Sequence, residues 1–428
     1  MIKKIKGFFI LCTIHYSIAV HDIEVKAHKT AKLRVSLWYI SSKSEIQIPL
    51  HMDIVKKDLL FLDQFNIFMY TAAKPLTKKE RQQREAAGDC VAIFFLDDDA
   101  HVDLYVHDLL SDATVLSKRV AKKDHPRGIA HFIADLIVQA LTGKVGFFST
   151  RIAYCKEYLE ANKHVIVKQL CVADYDGSHE EMIVEKPAMT FGIRWNNQNN
   201  EPLIFYSEHT KFNIRLMMVD LQGNKKIASD ADGITMLPSF MPDGQGVIYC
   251  ATAANGYSQL YYLKHNKIEQ LTNNEGNNIA PSITPDGKMV YFCSDYLKDI
   301  PQIVVCDIKT CELTPVTHEG YCTSPVVCPQ GLQVAYTKMV QGVMQLFIYC
   351  IATGVHKQLT FDEANKEGHS WSGCGTFLMY GANSQAIGQR ILLLNTITGV
   401  KKYVTAADAR CSSPAWSPKY NYFPIKMG

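Results

Sequence analysis

The sequence lacks the short motifs that mark many enzymes. Its 428 residues contain no Gly-x-Ser-x-Gly nucleophile elbow, no His-Glu-x-x-His zinc motif, no phosphate-binding P-loop and no dinucleotide-binding glycine fingerprint. Cys-x-x-Cys and His-x-x-x-His pairs are also missing, which removes common zinc-binding patterns. These absences disfavour hydrolase, nucleotide-dependent and zinc-dependent chemistry, so the sequence predicts neither a catalytic residue nor a cofactor or metal.

An excess of charge of one sign is also lacking. The formal net charge is +3, and three lysines lie in the first nineteen residues, which carry no acid, so 3 − 3 = 0 remains for the rest. A neutral chain does not carry the basic surface of a nucleic-acid-binding protein or of one that binds a membrane surface. At this length two domains are expected.

Long hydrophobic runs are missing too, and the one short run lies at the N-terminus. Gly7–Ile14 follows three lysines, and Ser17 and Ala19 are small residues of the kind that precede a cleavage site. This pattern predicts a secretory signal peptide over residues 1–19, with no membrane insertion after cleavage. An uncleaved anchor is the alternative, although the run is short for a bilayer span. Residues 20–32 are polar and aperiodic, which predicts a mobile arm.

What the chain does have is a pattern repeated six times. Four copies place a proline before a short apolar strand, and in two of them the strand leads to a Pro-Asp-Gly turn: Pro238–Gly244, Pro281–Gly287, Pro325–Gly331 and Pro414–Pro418. The bulky residue at the centre recurs every 43 to 45 residues, at Trp195, Phe240, Ile283, Val327, Trp371 and Trp416. One supersecondary unit is therefore reused, and no unit buries its core alone.

Each repeat contains four predicted strands. The second closes on an aromatic residue five positions after the turn glycine, and the fourth ends in sequences such as Gln270–Thr272 and Gln358–Thr360. The third opens with a glutamine, at Gln259, Gln302, Gln345 and Gln389. Four strands in about 44 residues are typical of a β-propeller blade. The alternative is an extended β-sandwich.

The number of blades follows from both ends of the repeat region. Complete repeats begin near residues 192, 236, 279, 323 and 367, and a sixth is divided between Ser413–Pro418 and Phe148–Asp176. Chain ends that share a blade close the ring without an open sheet edge. The sequence therefore predicts an all-β six-bladed β-propeller over residues 144–428. Its blades have four strands, and the last blade is closed by both chain ends of the domain.

A smaller α/β domain is predicted before the propeller, over residues 20–143. Its predicted elements are a strand at Leu33–Ile40, a helix opened by a Thr77–Glu80 capping box, a hairpin of Val91–Leu96 with Val102–Val106, and a helix over Pro126–Thr142 ended by Gly143. The acidic hairpin turn Asp97–His101 leaves a cation site and a solvated turn as alternatives.

Cysteine is abundant, with thirteen residues, one of which lies in the predicted signal peptide. Export permits disulfides. Most of the remaining twelve lie in or beside apolar strands, which favours buried free thiols. Cys306 and Cys311 flank a hairpin and could instead pair across it.

Binding of a partner is the function that this fold favours. The loops between fourth and first strands crowd around the ring axis and are rich in Asn, Asp and Gly, as in residues 229–233, 273–278, 317–321, 362–368 and 407–410. An enzyme working in the axial channel, as a hydrolase or lyase, would need several converging ionisable side chains. A glycan-binding propeller would need tryptophans on these loops, whereas Trp195, Trp371 and Trp416 fall in strands.

The chain resembles the TolB family, periplasmic propellers of the Tol–Pal system of Gram-negative bacteria. The resemblance is carried by the junction Ala140–Tyr154, the turn Asp174–Gly177, the Pro-Asp-Gly repeats and the terminal Ser413–Pro418. It covers nearly all of the chain after the signal peptide. The resemblance implies a non-enzymatic, monomeric adaptor in the periplasm that supports outer-membrane integrity and invagination during cell division.

The same resemblance implies the partners and their sites. Family members bind the peptidoglycan-associated lipoprotein Pal through loops between fourth and first strands, which match Asp232, Asn277, Asn278 and Thr323 here. The mature N-terminus contacts the inner-membrane protein TolA. This chain departs from the family at its mature start, Val20–Lys26, and in the extension Lys419–Gly428.

Overall fold

The computed structural model describes residues 32–41, 49–122, 125–160, 165–185, 190–196, 202–209, 214–229, 236–265, 267–297 and 300–419. The predicted signal peptide, the predicted arm apart from Lys32, and Asp232 lie outside the described residues. The described residues form two compact units, which divide between Phe148 and Ser149. No helix among them is long and apolar enough to cross a membrane.

The first unit has the mixed α/β structure predicted for the N-terminal region. Its elements are β1 (Leu33–Ile40), α1 (Leu50–Phe61), β2 (Phe65–Ala72), α2 (Lys78–Ala86), β3 (Val91–Asp97), β4 (His101–Asp108), β5 (Ala113–Ala121) and α3 (Pro126–Thr142). The five strands form one sheet in the order β2-β1-β3-β4-β5. β1 pairs in parallel with β2 and β3, whereas β4 is antiparallel to both of its neighbours. The mixed α/β class is therefore confirmed.

Local sequence signals set the ends of these elements. The Thr77 side chain accepts from the backbone of Glu80, whose carboxylate accepts from the backbone of Thr77, so the capping box is present. Pro126 begins α3 and Gly143 ends it with a left-handed φ of 70°. In the acidic turn, Asp98 accepts from the backbone of Ala100 and His101. This carboxylate serves the turn itself, which favours the solvated-turn interpretation.

The described residues of the second unit form twenty-four strands. In chain order they are β6 (Arg151–Glu160), β7 (Val165–Asp174), β8 (Glu181–Val184), β9 (Thr190–Trp195), β10 (Leu203–His209), β11 (Ile214–Asp220), β12 (Lys225–Ser229), β13 (Met236–Phe240), β14 (Gly246–Thr252), β15 (Ser258–Lys264), β16 (Lys267–Gln270), β17 (Asn278–Ile283), β18 (Met289–Ser294), β19 (Gln302–Asp307), β20 (Leu313–Pro315), β21 (Cys322–Val327), β22 (Gln333–Val340), β23 (Val343–Cys350), β24 (His356–Gln358), β25 (Asn365–Trp371), β26 (Phe377–Ser384), β27 (Gly388–Asn395), β28 (Lys401–Tyr403) and β29 (Arg410–Trp416).

These strands form six four-stranded antiparallel sheets, which are the blades of a propeller. Blades 1 to 5 each use four consecutive strands, from β9–β12 to β25–β28. Blade 6 has the order β29-β6-β7-β8, so its innermost strand comes from the end of the chain. Trp416 pairs with Ile152 in this sheet, and its indole Nε1 donates to Thr150 Oγ1 at 2.6 Å. The six blades and the closure by both chain ends are confirmed.

Adjacent blades are joined near the axis by repeated hydrogen bonds. The Trp371 indole donates to the carbonyl of Val326 in the preceding blade at 2.9 Å, and Ser282 Oγ accepts from the amide of Val327 in the next blade at 2.9 Å. Apolar cores also draw from two blades each; one contains Ile248 and Phe292, for example. Among the described residues, no repeat has a core of its own, as the sequence period predicted.

Every inner strand contains a β-bulge at the same position. In five blades the residue there has a left-handed φ between 51° and 60°: Gly192, Ala280, Ser324, Gly368 and Ser413. A bulge bends its strand and increases the local twist. The inner strands therefore bend just below the loops that precede them.

Eight of the twelve described cysteines are buried, and none of the twelve forms a disulfide. Burial raises the pKa of Cys171, Cys306 and Cys411 to about 12. These thiols pack as small apolar side chains.

Candidate functional site: the mouth of the propeller

The candidate site is the face of the propeller from which the loops between fourth and first strands emerge. We call this face the mouth. Its described loops between blades are 271–277, 316–321, 359–364 and 404–409, and loops 253–257 and 341–342 lie on the same face because they join second to third strands. The loop of residues 230–235, which contains Asp232, is outside the described residues.

A buried glutamine–threonine pair anchors these loops to the blade beneath them. Thr317 Oγ1 accepts from the amide of Ile303 at 2.8 Å and donates to Gln302 Oε1 at 2.8 Å. Gln302 Nε2 then donates to the carbonyl of Gly320 in the loop at 2.6 Å. Gln345 and Thr360 repeat this arrangement one blade later.

The pair explains two features of the repeat. A glutamine begins the third strand because its amide reaches the loop carbonyls, and a threonine follows two residues after the fourth strand because its hydroxyl links the loop to the third strand. Gln259, Gln302 and Gln345 are each at most 4% exposed, so these bonds are shielded from water. The mouth loops are consequently held in place before any partner arrives.

Asn278 lies in the interior of this scaffold. Its side chain is fully buried; Nδ2 donates to Gln259 Oε1 and Asn274 Oδ1, both at 2.9 Å, and Oδ1 accepts from Ser294 Oγ at 2.6 Å. The donors and the acceptor of this amide are therefore engaged by the protein. Asn278 shapes the loop and has no exposed surface for a partner to touch.

Asn277 is exposed and lies at the boundary of blades 2 and 3. Its Oδ1 accepts from the amide of Ser258 in blade 2 at 3.2 Å, and its Nδ2 donates to Asp295 Oδ2 in blade 3 at 3.2 Å. The backbone amide of Asn277 also donates to Asp295 Oδ1. Asn277 is thus a surface residue with a fixed orientation.

Thr323 is half-buried in β21, directly before the left-handed Ser324. Its carbonyl accepts from Thr337 Oγ1 at 3.2 Å, and its hydroxyl lies 3.4 Å from Ser324 Oγ. Thr323 lies two residues into its inner strand, and Asn278 begins its own. The structure therefore brings the three described candidate residues to the mouth ends of two adjacent inner strands.

A charged cluster at the mouth was missed by the sequence analysis. The Lys366 side chain is fully buried and its ammonium donates to Asp362 Oδ1 and to the carbonyls of Asp362 and Ala364. Lys401 pairs with the other oxygen of Asp362. Burial alone would raise the pKa of Asp362, but hydrogen bonds from the two lysines outweigh it and lower the pKa to about 2.

Two further features of the mouth also went unnoticed in the sequence. Asn365 lies at the same position of its repeat as Asn277, in blade 5 instead of blade 3. Its Oδ1 accepts a hydrogen bond from the amide of Met344 at 2.9 Å. Phe361 and Tyr321 are 76% and 41% exposed on neighbouring mouth loops. Alignment of the repeats on Trp371 and Ile283 would have identified Asn365, whereas nothing in the repeat pattern distinguishes the two aromatic residues.

Known proteins resemble this chain over the region of the mouth. The sequence profile described as the TolB beta propeller domain matches residues 138–420. The Tol-Pal system protein TolB of Gluconobacter oxydans is 28% identical over 329 residues, which are 74% of this chain and 71% of that protein. The Tol-Pal system protein TolB of Rickettsia africae is 29% identical over 150 residues, 33% of each chain.

A solved structure agrees with the architecture. The crystal structure of TolB from Acinetobacter baumannii matches with a TM-score of 0.74, covering 91% of this chain and 98% of that one. The two sequences are 21% identical over the match, so this likeness concerns the fold.

Proposed function

The chain belongs to the TolB β-propeller family, and from that membership we propose that it is a non-enzymatic, periplasmic component of the Tol–Pal system. In this proposal the mouth binds the lipoprotein Pal, and the N-terminus of the mature chain binds a TolA-like inner-membrane protein. The protein acts as a monomeric adaptor in outer-membrane integrity and in invagination during division.

The observation that carries the Pal proposal is the anchoring of the mouth loops. Asn277 is exposed but held by Ser258 and Asp295, so a partner that contacts it does not have to order it first. A preorganised surface loses less conformational entropy on binding. The exposed Phe361 and Tyr321 supply aromatic contact area of the kind that is enriched at interfaces.

The chemistry of the inner strands favours an adaptor over an enzyme. Burial lowers the pKa of His369 to about 4, which keeps its imidazole neutral at physiological pH. The backbone of Ala335 and Ser324 beside the ring acts in the opposite direction on the pKa of His369, but burial outweighs it. Lys366 is committed to the loop around Asp362. These residues do not form the paired acid and base that general acid–base catalysis requires.

Binding of the soluble domain of Pal to the mature chain, measured by titration calorimetry, tests the proposal. We expect Asn277→Ala to weaken binding about fivefold or more, which corresponds to the ~1 kcal/mol that separates energetically important contacts from neutral ones. The matched control is Lys288→Ala, because Lys288 is exposed in a turn on the opposite face. Absence of Pal binding to the unaltered chain would refute the proposal.

A second experiment tests the arm. We expect removal of residues 20–32 to abolish binding of the periplasmic domain of a TolA-like protein. If the arm also regulates the mouth, Pal affinity will change in the same variant. The coupling free energy can only be as large as the difference between the contacts of the arm in the Pal-bound and Pal-free states. Unchanged Pal affinity would remove the coupling and leave the adaptor role intact.

A further inference from the structure

Two cysteines lie in consecutive turns on the face opposite the mouth, where each turn joins the first strand of a blade to the second. In blade 4 the amide of Gly331 donates to the carbonyl of Cys328, which closes the turn. In blade 5 the amide of Gly375 donates to the carbonyl of Ser372 in the same way. Cys374 is the third residue of this second turn. Both turns therefore carry a thiol, Cys328 at the first position of one and Cys374 at the third position of the other.

The turn of blade 5 packs directly against the Cys328 side chain. A Cβ added to Gly375 would lie 2.7 Å from Cys328 Sγ, which is closer than side-chain atoms approach one another. Cys328 Sγ also lies 4.0 Å from the carbonyl oxygen of Gly375. On the other side of Cys374, Gln330 Nε2 donates to the carbonyl of Gly373 at 2.9 Å. The residues before and after Cys374 are thus both in contact with the turn that carries Cys328.

The two thiols differ in their access to solvent. Cys328 is 3% exposed, and its S–H donates to Gln330 Oε1 at 2.8 Å. Cys374 is half-buried, and its sulfur lies 3.2 Å from Ser372 Oγ. Burial raises the pKa of Cys328 although the amide of Gln330 opposes it, so this thiol reacts poorly with an external oxidant. An oxidant from solvent therefore reaches Cys374 first, and Cys328 lies against the same turn.

The same stacking of turns occurs at another blade boundary with residues that cannot be joined. Between blades 2 and 3, Met241 Cε lies 3.2 Å from the position of a Cβ added to Gly287, the residue after Asp286. Met241 and Asp286 occupy the turn positions that Cys328 and Cys374 occupy between blades 4 and 5. A thioether and a carboxylate stand there in place of two thiols. The pair of cysteines is therefore a property of this boundary and not of the repeat.

We infer that Cys328 and Cys374 are a disulfide-forming pair, which links blade 4 to blade 5 when the protein is oxidised. A disulfide requires two Cα atoms about 4.4–6.8 Å apart. The contacts on both sides of Cys374 hold its turn against Cys328, and to form the bond the Cys374 sulfur turns from Ser372 towards Cys328. The predicted export of the chain places the pair where disulfides persist.

The reaction is thiol–disulfide exchange with a small disulfide as the oxidant. The Cys374 thiolate attacks one sulfur of oxidised glutathione, which forms a mixed disulfide and releases one glutathione thiolate. Cys328 then loses its proton and attacks the Cys374 sulfur, and the second glutathione thiolate leaves. The two protein thiols give up two electrons and two protons in all, and oxidised glutathione takes up both to become two molecules of glutathione.

Peptide mapping by mass spectrometry, on the folded full chain with and without oxidised glutathione, tests the inference. We expect a linked pair of peptides that joins Cys328 to Cys374, disappears on reduction and is missing in Cys374→Ser. Cys350→Ser is the matched control and keeps the link, because Cys350 is another half-buried thiol of blade 4. Absence of the link from the unaltered chain, including a glutathione adduct that persists on Cys374, would overturn the inference.

Thermal unfolding shows whether the bond suits the folded propeller. A cross-link that the folded state accommodates stabilises it, mainly by restricting the unfolded chain. We expect oxidation to raise the melting temperature of the unaltered chain and of Cys350→Ser by at least about 3 °C, and to leave that of Cys374→Ser unchanged. An unchanged or lower melting temperature of the oxidised unaltered chain would contradict the inference. Neither measurement involves Pal, so the inference can fail while the proposed function stands.

Discussion

Arg151 and Ser417, which are 266 residues apart in the sequence, exchange two hydrogen bonds. The Arg151 amide donates to Ser417 Oγ at 3.0 Å, and the Ser417 amide donates to the Arg151 carbonyl at 2.8 Å. They lie at the end of blade 6 where the first strand of the propeller meets the last. Closure of the ring therefore depends on a short terminal segment of the propeller.

The first prediction concerns this closure. Trp416→Ala removes a side chain that is 6% exposed and loses the bond to Thr150. We expect the free energy of unfolding to fall by about 3–5 kcal/mol, as for other buried tryptophans. Urea titration monitored by circular dichroism measures it. Ile268→Ala, at a 63% exposed position on an outer strand, is the control and should change stability by less than about 0.5 kcal/mol.

The second prediction separates Asn277 from its neighbour. Asn278→Ala leaves Gln259, Asn274 and Ser294 with unmatched buried polar groups. We expect a loss of about 2–3 kcal/mol in unfolding free energy. Asn277→Ala should cost well under about 1 kcal/mol because its side chain is exposed. Equal losses in the two variants would mean that the buried network does not support the loop.

The third prediction concerns the residue of left-handed φ at the β-bulge of an inner strand. Ala280→Gly should raise the unfolding free energy by about 0.5–1 kcal/mol, since glycine adopts a φ of 55° without strain. Gly368→Ala should lower it by about 2 kcal/mol, because the added Cβ would also lie 3.1 Å from Ser413 Cα. Gly354→Ala is the control: its φ is 70° but no atom lies within 4 Å of its added Cβ, so its cost is smaller. Changes of the same sign at positions 280 and 368 would contradict this.

The fourth prediction is a dependence on pH at the mouth. The pKa of Asp362 lies at about 2 in the folded protein, below its ordinary value of 3.8, because Lys366 and Lys401 overcome the effect of burial. A depressed carboxyl pKa stabilises the fold above the unfolded value and loses that contribution as pH falls towards the folded value. The stability difference between the original and Asp362→Asn should be constant from pH 5 to 7 and shrink from pH 4 to 2. A constant difference throughout would refute this interpretation.

Much of the architecture could be predicted because the fold repeats itself. The recurrence from Trp195 to Trp416 determines how many blades there are, and the position of Ser413–Pro418 after the fifth complete repeat predicts a blade shared by both chain ends. The blade count and the shared blade both follow from the spacing of the repeats, and the structure confirms both. The ends of helix α3 could also be predicted, because proline favours the first turn of a helix and glycine adopts the left-handed conformation that ends one. Pro126 and Gly143 take these two roles.

The candidate site was harder to predict because the exposure and the hydrogen bonds of its residues depend on contacts between neighbouring blades. Nothing in the residue types of Asn277 and Asn278 indicates which one faces solvent; that depends on Gln259 and Ser294, which lie in two different blades. Left-handed Ala280 and Ser324 occupy a position that glycine marks elsewhere, so composition gives no signal there.

Photo-cross-linking from position 277 tests the central claim most directly. A photoreactive amino acid replaces Asn277 in one variant and Lys288, on the opposite face, in the other, and each is irradiated in intact cell envelopes. A product containing Pal from position 277 and none from position 288 is the result we predict. A Pal product from position 288 alone, or none from either, would contradict the claim that this propeller receives its partner at the mouth.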